Sequence, residues 1–113
     1  MTVGEWLAAR TPPPPEPLRA RIEAALGDGL RDDASRAAVR CLAAAEAILA
    51  ELVAREDARR ESALSLLAAD ALVTYAFEAA SGEVARLDVR TRDAMARLAA
   101  LAPDGDTPAA TER

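Results

Sequence analysis

Asp70 and Glu78 are the only charged side chains in the stretch SALSLLAADALVTYAFEAAS, Ser62 to Ser81, which is otherwise apolar, small or aromatic. Two turns apart on a helix, with Thr74 between them, they lie along one side. Carboxylates set in an apolar helix can do two kinds of work. Their oxygens can hold a hard cation such as magnesium, with Asp70, Glu78 and Glu46 as the candidates. A single buried carboxylate can instead act as a polar pin that fixes the register between helices or subunits. In that case it pairs with an arginine, of which Arg36 and Arg40 are the nearest in pattern, or bonds the Thr74 hydroxyl. No phosphate-binding loop or general base accompanies these carboxylates, so the pin is the expectation and no residue is assigned as catalytic or metal-ligating.

The missing residue types exclude more chemistry than the present ones suggest. The chain of 113 residues has no His, Lys, Asn or Gln, and all 14 of its basic side chains are arginine. That removes Ser–His and Cys–His nucleophile pairs, Schiff-base lysines, the P-loop lysine and histidine-ligated metals. Cys41 is the single cysteine, so neither an internal disulfide nor a thiolate zinc site can form. Within VRCLAAAEAIL it reads as a small core hydrophobe. A net charge of −5 argues against a nucleic-acid or anionic-membrane surface. The opening residues MTVGEWLAAR predict no secretory leader, and the expectation is a cytoplasmic protein.

The elements that must position these groups are helical. Alanine, leucine, arginine and glutamate dominate, and aromatics are only 3% of the chain. Thr2 to Glu5 forms a capping box for a short helix carrying Trp6 and Leu7, which TPPPPEP ends as a polyproline strap. Pro14, Pro17 and Arg19 also spell P-x-x-P-x-R, an SH3-ligand pattern. A second helix is expected from Glu16 to Leu26, ended by Gly27 and Gly29. A third, capped by Asp32 or Asp33, should reach Arg55 with Ala38, Leu42, Ala45, Leu49, Leu52 and Val53 facing inward. The charged run AREDARRES predicts a break near Glu56 to Ala58. The fourth helix, Arg59 to Ser81, would lie at the centre of the bundle because it is apolar all round. Its small sector of Ser62, Ser65, Ala69, Ala76 and Ala80 would permit close approach. Gly82 is expected to stop it and a fifth helix to run from Glu83 to Leu101, with Val84, Leu87, Met95 and Leu98 on one face. Residues 103–113 read as a disordered tail.

Leu66-Leu67-Ala68-Ala69-Asp70-Ala71-Leu72-Val73-Thr74-Tyr75-Ala76-Phe77-Glu78 resembles the LAGDALLTLAFE helix of the trans-isoprenyl diphosphate synthases. Those are all-helical, magnesium-using enzymes that condense allylic diphosphates with isopentenyl diphosphate. Asp70, Thr74 and Glu78 match that helix, which does not carry the family's metal ligands. The DDxxD motif is missing: Asp32-Asp33-Ala34-Ser35-Arg36 has the doublet without the third aspartate. What the resemblance implies is therefore a non-catalytic accessory subunit, not a synthase.

The sequence thus predicts an all-α fold, a small bundle of about four main helices plus a short N-terminal helix on a polyproline strap. Residues 1–15 form the arm, 16–102 the bundle and 103–113 the tail. The expected function is non-enzymatic, by self-association as a homo-oligomer or by docking on a protein partner, with Trp6, Leu7, Pro14, Pro17 and Arg19 as the contact candidates. No nucleic-acid partner and no membrane span are expected. An accessory subunit related to prenyl synthases and a carboxylate-based metal or ligand binder are the alternatives, with magnesium the one cofactor that would suit.

Overall fold

A computed structural model of the chain describes residues 1–55 and 60–101. It is all-α: α1 (Val3–Ala8), α2 (Glu16–Leu26), α3 (Ala37–Arg55) and α4 (Arg60–Ala100), with two 3-10 turns, Gly27–Arg31 and Ala34–Arg36, joining α2 to α3. The expected break at Glu56 to Ala58 and the tail lie outside the described residues. The chain divides into two compact units, Met1–Ser81 and the residues from Gly82 onward.

In the first unit, local chemistry sets each helix start. The Thr2 hydroxyl accepts from the Glu5 backbone at 3.1 Å while the Glu5 carboxylate accepts from the Thr2 backbone at 2.8 Å, a complete capping box. That reciprocal bond holds the Glu5 carboxyl below its ordinary range. Pro15 precedes α2 and Pro17 sits in its first turn, where the missing N–H is no loss. Gly27 takes φ +51° and ψ −128° at the end of α2, a backbone conformation that side-chain-bearing residues rarely adopt. The Asp33 carboxylate accepts from the Ser35 backbone at 2.9 Å and opens the turn into α3. The arm is tied down by backbone bonds, Val3 N–H to the Asp32 carbonyl at 2.8 Å and Ala34 N–H to the Met1 carbonyl at 2.9 Å.

The core of this unit gathers Ile22 and Leu26 of α2, Cys41, Ala45 and Ile48 of α3, and Ala68, Ala69 and Leu72 of α4. A second cluster seats Val3 on Ala37 and Ala79. With so many alanines in the seams, helices approach closely and Leu72 supplies the largest fully buried side chain. This corrects the expected inner face of α3. Ala45 is buried, but Leu42, Leu49 and Val53 are exposed, and Ala37, Cys41, Ala44 and Ile48 take the inner positions instead. Size explains the exchange, because a leucine face would hold the neighbouring axes apart whereas small residues let α2 and α4 close on α3.

In α4 part of the small sector faces inward, with Ser65, Ala69 and Ala76 buried, but Ala80, expected on the same side, is exposed. The helix is not buried all round, however: Leu66, Leu67, Asp70 and Phe77 are exposed.

The backbone remains helical at Gly82, where a stop was expected. No proline follows, Gly82 does not adopt positive φ, and the strong helix formers Ala79, Ala80, Ala85 and Arg86 outweigh the roughly 1 kcal/mol cost of one glycine. In the second unit Glu83 pairs with Arg86 at 3.0 Å and Asp88 with Arg92 at 3.1 Å, both along the helix. Its apolar side chains Val84, Leu87, Met95 and Leu98 are all exposed.

Candidate functional site

The carboxylates are placed differently from the expected pin. Asp70 is exposed, and the Thr74 hydroxyl donates to the Asp70 backbone carbonyl at 3.1 Å rather than to its carboxylate. Arg36 and Arg40, the candidate partners, both turn to Asp32 instead, Arg36 at 3.6 Å and Arg40 closer. The cause is the inward turn of the alanine face of α4, which points position 70 outward. Glu46 is likewise exposed on α3. Glu78 lies 3.9 Å from Arg10. Among the described residues no three of His, Cys, Asp and Glu gather as a metal site, so Asp70, Glu78 and Glu46 are not brought together.

The arm candidates are largely occupied within the chain. Trp6 packs edge-on against Tyr75, ring centroids 6.3 Å apart at 88°, and the Arg10 guanidinium lies 4.2 Å from the Trp6 ring centre. Burial raises the Tyr75 hydroxyl above its ordinary range, with the Glu78 charge adding to the shift. Leu7, Pro14 and Arg19 line a small hollow closed by Ile22 and Tyr75. Pro17 and Arg19 belong to α2, and Arg19 bonds Glu16 at 2.6 Å, so P-x-x-P-x-R is not an extended ligand strand. Cys41 is fully buried and its thiol is pushed up to about 11 by desolvation, which leaves it protonated and inert at neutral pH.

What remains open is apolar. Ala38, Val39 and Leu42 of α3 and Ala76, Phe77 and Ala80 of α4 line a groove with almost no polar surface. Phe77 is 69% exposed and Val39 59%, and Leu49, Val53 and Leu66 extend the face along both helices. Together these side chains leave an unusual amount of large apolar surface in water. By length and composition Ser62–Ala100 also meets the test for a membrane-crossing helix. Core helices of soluble proteins meet it too. Here one side of α4 packs on α3 in the first unit and two exposed carboxylates interrupt the apolar stretch, so it is no clear membrane span. Sequence reasoning missed this face because it placed Leu42, Leu49 and Val53 inside and took the fourth helix, apolar all round, as central to the bundle.

No family model, curated protein or solved structure matches the chain.

Proposed function

We propose that the protein is non-enzymatic and acts through protein association, with itself or with a protein partner, by means of the α3–α4 face. The observation that carries this is the groove lined by Val39, Leu42, Phe77 and Ala80, a surface built from large exposed side chains on two packed helices. Leaving several such side chains in water forfeits about 1.5–3 kcal/mol each relative to full burial, a driving force that a cover would recover. No polar side chain lines the groove to orient a small substrate, whereas an apolar groove between two helices suits a helix of another chain.

Radical footprinting tests this. Leu42 and Phe77 gain protection as the chain is concentrated, or on adding host extract to a dilute sample, while Trp6 and Tyr75 keep a constant signal. Uniform labelling of Leu42 and Phe77 under every condition contradicts the proposal.

A further inference from the structure

Starting at Leu66 and stepping alternately by four and three residues, one reaches an apolar side chain at every stop to Leu101, save for Asp70 and Thr91. That alternation is the heptad spacing of a coiled-coil seam. Within the first unit the stops Phe77 and Ala80 line the α3–α4 groove, and within the second unit the stops Val84, Leu87 and Leu98 are exposed. No described residue of the second unit covers its stripe.

We infer that the seam is covered by the same seam of a second copy of this chain, running antiparallel. The inference rests on the association reading above and names its partner. Charge selects the orientation. In a parallel, in-register pair Asp70 would meet the second copy's Asp70 in the seam, and Glu83 would flank the second copy's Asp88, so like charges would oppose at both places. In the antiparallel pair centred between Val84 and Leu87, Glu83 instead flanks the second copy's Arg90, and symmetry repeats that pair. Shifting the register by one heptad sets Arg90 against Arg90 or Glu83 against Glu83. Side-chain size agrees with the chosen register. Phe77 comes opposite the second copy's Ala94, and Asp70 comes opposite its Leu101 at the end of the overlap, where water reaches the carboxylate.

Charge exchange tests the orientation with the full chain. Glu83→Arg and Arg90→Glu each turn two symmetry-related attractions into two repulsions, and each is expected to raise the dimer dissociation constant at least about tenfold. The double variant E83R/R90E restores it to within about threefold of the native value. Both positions belong to an exposed stretch of helix, and circular dichroism confirms that each variant stays folded. A native dimer that Glu83→Arg tightens is parallel and overturns the inference while leaving self-association standing. Failure of the double variant to recover overturns the register. A native chain that stays monomeric, whether free or bound to lipid vesicles, removes the second copy altogether.

Discussion

Asp70 shows how a residue can be chemically conspicuous without being chemically employed. Its surroundings in the sequence are those of a core helix, and a buried carboxylate there would need an arginine. The structure turns it outward and gives both candidate arginines to Asp32. Asp70→Asn should therefore shift the unfolding free energy by no more than about 0.5 kcal/mol, read from chemical denaturation, because an exposed unpaired side chain has little to lose. A loss of several kcal/mol would restore the buried ion pair. Cys41, by contrast, was legible. A lone small hydrophobe among alanines and leucines is found fully buried with its thiol raised by desolvation. The difference is that Cys41 is apolar whichever neighbour it meets. The placement of Asp70 depends on which side of a nearly uniform helix packs inward, and composition does not say.

Helix starts were readable because each is fixed by a few adjacent residues. The capping box at Thr2–Glu5 and the first-turn proline of α2 stand where the sequence places them, and Asp33, one of the two caps expected for the third helix, caps the 3-10 turn that leads into it. Helix faces and the end of α4 were not, because they depend on distant neighbours. The inner face of α3 follows from how closely α2 and α4 approach, which favours Ala44 and Ala45 over Leu42 and Leu49. Gly82 looked like a stop on its own merits, yet its helical neighbours carry the backbone through, and cutting the helix there hid the alternation of fours and threes that crosses it. Gly82→Ala discriminates between the two. In a helix interior it should stabilise by about 0.5–1 kcal/mol in thermal or chemical unfolding, since an added Cβ would meet only the flexible end of Arg86 at 3.4 Å. At a left-handed helix stop the same change would destabilise.

At the scale of the molecule, the all-α class follows from composition and is what the structure shows. What the chain does with its surface is the further step. Residues that would ordinarily fill a core, Phe77, Leu87 and Leu98 among them, lie outside on α4 in the single chain. The resemblance of Leu66–Glu78 to a prenyl synthase helix falls on this same segment. We propose that the exposed apolar side of α4 is an interface with a second copy. Sedimentation equilibrium of the native chain in the micromolar range tests it most directly. A mass of twice 11.9 kDa that falls toward 11.9 kDa on dilution is expected. A mass of 11.9 kDa at every concentration would contradict it.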